Sequence, residues 1–391
     1  MSMLSDIKVL DLSTLLPGPY ASMMLADMGA QVLRVESPDR VDLVRQLEPM
    51  IGDSSAAHQY LNRSKRSIAL DLKQAEAIAI VHQLVQEYDI VLEQFRPGVM
   101  DRLGIGYEAL KAINPRLIFC SITGYGQTGP HKDRAGHDLN YLALSGVSSY
   151  SHRADQPPVP LGIQVADVAG GSLHSVIGIL TAIHHREKTG EGQMIDISMT
   201  DAAFALNGMS GAGSLAGQKQ PQAEAELLNG GSFYDYYETL DGRYFSVGSL
   251  EPKFFSGLFD LIERPELKSL VTQPAPQQQL KDSLKNIFKE KTFGQWQAIF
   301  SDYDLCVEPV LNLTEAAKHP QLQARDMVVD VPHPDSGTQK QIGCPIKFSG
   351  YTATYREAGG KVGSHGRQVL EELGLQASEI ESLVSQKAVK L

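Results

Sequence analysis

The sequence predicts an α/β chain: a Rossmann-like doubly wound parallel sheet domain plus a smaller α+β domain. Three observations carry this expectation. Short apolar strands alternate with helical patterns over the first half. Further on, an Asp241-Gly242 turn between two aromatic-rich runs marks an antiparallel hairpin. The chain has 391 residues, 42 % of them hydrophobic, enough to bury two cores.

Taken in order, residues 7–12 read as the first strand, Pro17-Gly18-Pro19 as a break and residues 20–28 as a helix. Residues 31–36 return as strand and close a βαβ unit. Ile80, Val81, Leu84, Val85 and Tyr88 share one face of a longer helix, and residues 90–92 and 117–121 supply further strands. The turn after the first strand lacks G-x-G-x-x-G, so the layout gives no support to a dinucleotide cofactor. Asp167 opens a helix with Leu173, Val176, Ile177 and Leu180 as its apolar stripe and Gly190 just past its end. After a strand at 194–197, residues 200–217 are rich in Ala, Gly and Ser and helical at their start, and 218–226 read as a linker. The hairpin then joins 233–239 to 244–247. Near the end, Ser378-x-x-Glu381 before Leu383 and Val384 has the form of a capping box, which predicts a helical tail. The expected domains are 1–197, completed by 328–391, a helical linker at 198–228, and a small α+β domain at 229–327.

Composition narrows the function. No unbroken apolar run approaches the ~18 residues that cross a bilayer, so no membrane span is expected. The N-terminus lacks a basic start followed by an apolar stretch, which argues against secretion. Cys120, Cys306 and Cys344 are odd in number and scattered, which predicts reduced core thiols in a cytoplasmic compartment. The net charge of −11 argues against nucleic acid while leaving room for a local basic pocket.

The chemistry-bearing residues are His137 in the run 135–144, Asp167 in 165–171 and Glu251 in 247–255. A neutral imidazole and a carboxylic acid on opposite faces of one carbon can invert it, one removing a proton and the other returning one. Each residue also has a plain reading. His137 can pack at a helix start with Asp138 as N-cap, Asp167 can be an N-cap itself, and Glu251 can open a helix before Pro252. The free amides at the start of the Asp167 helix are also candidates to hold an enolate oxygen.

The Gly-rich loop 124–130 is either a turn needing positive φ or a close approach of backbone to a ligand. Arg63, Lys65, Arg66 and Lys73 form either a solvated face or a phosphate grip, and Arg96 and Arg102 are of the same kind. His184-His185 complement a helix end and cannot share a helical face as metal ligands. Trp296 reads as packing.

Several linked motifs resemble the class III CoA-transferase superfamily and, within it, the α-methylacyl-CoA racemases. They are Asn62-Arg63-Ser64-Lys65-Arg66-Ser67, Leu70-Asp71-Leu72-Lys73, Arg96-Pro97-Gly98, and the stretches 124–130, 136–144, 166–171 and 247–255. The resemblance implies an enzyme acting on acyl-CoA. In the transferases the aspartate matching Asp167 is a covalent nucleophile; in the racemases it is a general acid/base. Transferases usually carry an aromatic residue where this chain has His137, so the resemblance favours a racemase of 2-methyl-branched acyl-CoA, with the transferase as the alternative. It makes His137 the second acid/base and Glu251 the group that orients its ring. It also implies CoA contacts from Leu70, Asp71, Leu72, Lys73, Gln94, Phe95, Arg96, Arg102, Gly136, Asp138, Leu139, Asn140 and Tyr141. One departure is Ser37, where the racemase pattern has an arginine; Arg40 or the basic cluster is the candidate replacement. No metal or separate cofactor is implied, and an intertwined homodimer is expected.

Overall fold

Buried apolar strands in parallel pairing organise the larger of two units, and the computed structural model describes residues 2–273, 277–335 and 337–391. Met1, the start of the N-terminal stretch considered above, lies outside the described residues. The larger unit gathers residues up to Ser145, Gly162–Leu206 and Pro320–Leu391. The parallel strands of its main sheet are β1 (Lys8–Asp11), β2 (Gln31–Glu36), β3 (Lys65–Leu70), β4 (Ile90–Glu93), β5 (Ile118–Thr123) and β6 (Met194–Ser198). They lie in the order β3-β2-β1-β4-β5-β6, all parallel, and Val389–Lys390 adds an antiparallel edge to β3. Leu10 of β1 stands opposite Leu33 of β2 and Val91 of β4, and all three belong to one buried cluster with Ile68 and Phe119. The order reverses between β1 and β4, which opens a crevice at the carboxyl ends of those strands where α/β sheets bind ligands.

The helices of this unit include α1 (Pro17–Asp27), α2 (Ala75–Val85), α3 (Tyr107–Ile113), α4 (Asp138–Leu144), α5 (His174–Thr189) and α6 (Met199–Ala205). A π-helix, Ala166–Leu173, runs directly into α5. The break predicted at Pro17 is instead the first turn of α1. Proline suits that position because its φ is already helical and its missing N–H would have no partner there.

The basic stretch 63–66 buries Arg63 and Lys65 in ion pairs, so those two are neither a solvated face nor a phosphate grip, and leaves Arg66 half-exposed. It forms β3 and the turn before it. Arg63 is buried and pairs with Asp27 through two bonds, Nε to Oδ1 at 2.9 Å and Nη2 to Oδ2 at 2.5 Å. Lys65 is buried against Asp11 at 3.3 Å, and burial pushes its amine down to about 8. Arg66 pairs with Glu372 at 2.8 Å.

The apolar stripe of the Asp167 helix also differs from expectation. Ser175, Val176, Ile179, Ala182 and Arg186 are buried, whereas Leu173 and Ile177 are exposed. The wider π-turn shifts the phase at which the chain enters α5. Among the described residues one helix, Ala166–Thr189, is long and apolar enough by length and composition to cross a membrane. Asp167, Ser172, His174 and Ser175 interrupt it, so the sequence shows no unbroken run. In the fold its inner face packs on β5 and β6.

The second unit comprises Gly146–Leu161 and Asn207–His319. It holds α7 (Gly208–Gly217), an antiparallel sheet of β7 (Asp235–Glu238), β8 (Tyr244–Val247) and β9 (Val307–Pro309), and helices α8 (Pro252–Leu261), α9 (Gln278–Phe288) and α10 (Phe293–Phe300). Phe233, Tyr237, Phe245, Phe259, Phe288 and Phe300 build its core around Trp296, whose indole N–H donates to the Phe288 carbonyl at 2.8 Å.

Two smaller expectations are corrected. The helix expected in the tail is present as Ala377–Ser385, but its capping box is Gln376 with Glu379, whose carboxylate accepts the Gln376 amide at 2.7 Å, and the strand Val389–Lys390 follows it. Cys306 is exposed rather than in the core.

The Asp27–Arg63 pair generates a prediction. Asp27→Ala leaves a buried guanidinium without its partner and should lower the unfolding free energy by about 3–5 kcal/mol in urea titration. The double variant Asp27→Leu/Arg63→Met should recover most of that loss; if it is no better than the single variant, the pair is not what the core depends on at this point.

Candidate active site

The approach to α4 begins at Gly136, whose carbonyl accepts the Tyr141 hydroxyl at 2.5 Å. Only glycine fits there: a Cβ would lie 2.7 Å from Tyr141 Cε1 and 2.9 Å from the Tyr125 hydroxyl. The rings of Tyr125 and Tyr141 meet edge to face at 5.3 Å. His137 follows in extended backbone as the N-cap of α4, its amide donating to Asn140 Oδ1 at 3.0 Å, with its ring exposed. The N-cap of α4 is thus His137 and not Asp138.

Asp138 caps a different helix. Its Oδ1 accepts the amide of Ala166 at 2.6 Å and that of Asp167 at 3.1 Å. One carboxylate therefore ties the start of α4, which carries His137, to the start of the π-helix, which carries Asp167. The plain reading of Asp167 as an N-cap does not hold, since its carboxylate makes no cap bond. The amides expected to hold an enolate are already engaged at 166 and 167, and Val168 donates to the Gln164 carbonyl at 3.0 Å. The π-helix is anchored to α1 by Ser172, whose hydroxyl donates to the Pro17 carbonyl at 2.7 Å.

Asp167 is half-buried. Burial first, then the negative charge of Asp138, pushes its carboxyl up to about 7. Burial also raises the Tyr141 phenol, with the Asp167 charge adding to it. Glu251 belongs to the second unit. It is the N-cap of α8, its carbonyl accepts the amides of Phe254 at 2.9 Å and Phe255 at 3.1 Å, and its carboxylate is exposed.

The residues expected to contact CoA follow the carboxyl ends of β3, β4 and β5, which a parallel sheet places along one edge. After β3, Leu70 is buried, Leu72 packs on the core, Asp71 accepts the Lys73 amide at 3.2 Å, and the Lys73 side chain is exposed. After β4, Gln94 Oε1 accepts the Gly18 amide at 3.1 Å, which bridges the crevice between β4 and α1. Phe95 packs on the same core. Arg96 and Arg102 are exposed and, like Lys73, form no ion pair among the described residues. Ser37 accepts the Arg40 amide at 3.1 Å. After β5, Gly126 and Gly129 take φ of 82° and 85°, as the loop reading requires. On α4, Leu139 and Asn140 are exposed and Tyr141 is buried.

Sequence reasoning missed Glu93. This last residue of β4 accepts the Ser121 hydroxyl and, at 2.7 Å, the Phe95 amide, and burial pushes its carboxyl up to about 7. Its position just before Gln94 was the only available signal.

A profile of CoA-transferase family III matches residues 4–366. The chain belongs to CoA-transferase family III. It is 35 % identical over 395 residues to the α-methylacyl-CoA racemase of Homo sapiens, covering 99 % of this chain and 97 % of that protein. It is 30 % identical over 403 residues to the succinyl-CoA–D-citramalate CoA-transferase of Chloroflexus aurantiacus, covering 99 % and 98 %. Among solved structures, a CAIB/BAIF family protein from Brucella suis matches with a TM-score of 0.84 at 31 % identity, over 95 % of this chain and 99 % of that one. Family III thus holds relatives named for two different reactions on one scaffold.

The tight contact at Gly136 makes the second prediction. Gly136→Ala must displace Tyr141 or the backbone leading to His137, and a shift near 1 Å at a reacting group costs about 10²-fold in rate. Turnover of acyl-CoA should fall by about that factor while the thermal midpoint moves little; unchanged turnover would detach Gly136 from the site.

Proposed function

We propose that this family III chain interconverts the (R) and (S) forms of 2-methyl-branched acyl-CoA by two-base transfer of the α-proton. The observation that carries this reading is Asp167: half-buried, tied through Asp138 to the helix start that bears His137, and with its carboxyl near 7. Near neutral pH such a group is present both with and without its proton. A residue that donates in one direction and accepts in the other needs both states.

The thioester carbonyl acidifies the α-C–H. Neutral His137 removes the proton from one enantiomer, and protonated Asp167 delivers one to the opposite face of the planar enolate. In the reverse direction the Asp167 carboxylate is the base and the His137 imidazolium the acid. The amides of Asp138 and Leu139, in the first turn of α4, donate to no acceptor among the described residues and are the donors left for the enolate oxygen. Lys73, Arg96 and Arg102, exposed and in no ion pair among the described residues, are assigned to the CoA phosphates. CoA enters as part of the substrate, and the working form is a homodimer.

The pair works with one proton shared between two groups, so the rate should be bell-shaped in pH. It falls at low pH, where both groups are protonated, and at high pH, where neither is. His137→Ala should block removal from one enantiomer and Asp167→Asn from the other, each lowering racemisation by at least ~10²-fold. The deciding measurement is incubation with an enantiopure 2-methylacyl-CoA in deuterium oxide. Deuterium at the α-carbon with loss of optical purity is the expected result. A hydroxylamine-trapped acyl group on Asp167, without α-exchange, would overturn the reading in favour of a CoA-transferase.

A further inference from the structure

The Asp138 side chain is occupied in a way that CoA binding does not explain. Both bonds from its Oδ1 go to backbone amides of the π-helix, 28 and 29 residues away in sequence. Those amides belong to Ala166, which is fully buried, and to Asp167 itself. We infer that Asp138 is a positioning residue that couples the two bases: its carboxylate fixes the backbone carrying Asp167 and sets a negative charge against it, so that Asp167 keeps its proton. This rests on the reading of Asp167 as an acid/base group and extends it to the residue that governs its protonation.

His137, the N-cap of α4, is the titratable group next to Asp138 in the chain, and the elements packed against the π-helix carry others. They are Tyr20 and Asp27 on α1, Tyr141 on α4, Asp196 on β6, Asp201 on α6, and on α5 His174 followed by 184–188. Asp27 is held by Arg63, Asp196 accepts the Gln127 amide at 3.0 Å, and His174 Nδ1 bonds to the Ala169 carbonyl at 2.7 Å. Arg186, a cation on these elements, is bound to Asp89 at 2.9 Å. Asp138 is the charged side chain that bonds directly to the Asp167 backbone. A like charge so close makes ionisation of Asp167 harder, and half-burial leaves the interaction only partly screened.

Asparagine at 138 separates charge from scaffolding, because its carbonyl oxygen can accept the same two amides. The test is a titration of carboxyl ¹³C resonances in full-length protein labelled at aspartate, with the Asp167 signal assigned by its loss in Asp167→Asn. In Asp138→Asn the Asp167 midpoint should fall by about one pH unit, the scale of a nearby like charge that is partly screened. The acid limb of α-deuterium exchange should move to lower pH with it. If Asp138→Asn does not fold, Asp138→Ser, neutral and still an oxygen acceptor, must show the same direction. A folded variant whose Asp167 midpoint stays at the wild-type value would overturn the proposal, since a purely structural cap predicts that result. The resonance reports on Asp167 whether or not the enzyme racemises. A wild-type protein without α-exchange therefore removes the functional reading alone, and an unmoved midpoint removes the coupling alone.

Discussion

A carboxylate that accepts two consecutive backbone amides at the entrance to a helix is the constraint on which the rest of this site depends. Helix starts leave amides without partners, and a buried start must find them elsewhere. Here the partner is Asp138, the first residue of α4, so meeting the need of one helix fixes the position of another. The chain of constraint continues into the fold. Ser172 binds the π-helix to the Pro17 carbonyl, and Pro17 opens α1 just past the carboxyl end of β1. Gln94 then holds the Gly18 amide from the far side of the crevice. His137 and Asp167 are both placed by the parallel sheet and its switch in strand order, through no more than a few hydrogen bonds.

Much of this was legible in the sequence, and what escaped did so for identifiable reasons. β1, β2, β4 and β5 are short apolar runs between turn signals, and buried parallel strands have to look like that. β3 was not legible because Lys65, Arg66 and Ser67 break its apolar pattern. Burying Lys65, and Arg63 before it, is tolerable only because Asp11 and Asp27 wait inside the fold, 54 and 36 residues away. No local window contains such a partner. The phase of α5 was lost for a related reason, since a π-turn leaves no mark in apolar spacing.

The site divides in the same way. His137, Asp167 and Glu251 stood out by motif, and the motifs led to the right family. Their plain structural alternatives could not be separated from function by spacing alone. The structure separates them for Asp167, where capping is done by another residue and the carboxyl is left free of cap bonds. It also shows the amides at 166 and 167 engaged, while those of Asp138 and Leu139 donate to no acceptor among the described residues. Asp138 was legible as part of a motif but not in its role, because its bonds close a loop of nearly thirty residues.

The environment of Asp167 bears on why one scaffold can hold relatives named as a racemase and as CoA-transferases. An aspartate that attacks a thioester must be ionised when it does so, and a nearby cation or a set of donor hydrogen bonds would favour that state. An aspartate that exchanges a proton with carbon must hold that proton for part of each cycle, which a half-buried site beside another carboxylate favours. Here the neighbour bonded to the Asp167 backbone is an anion, and no cation pairs with Asp167 itself among the described residues. The balance is therefore tipped towards the protonated acid. Changing the charge of one neighbour, with the sheet, the π-helix and the crevice left as they are, would by itself shift how firmly this carboxyl holds its proton.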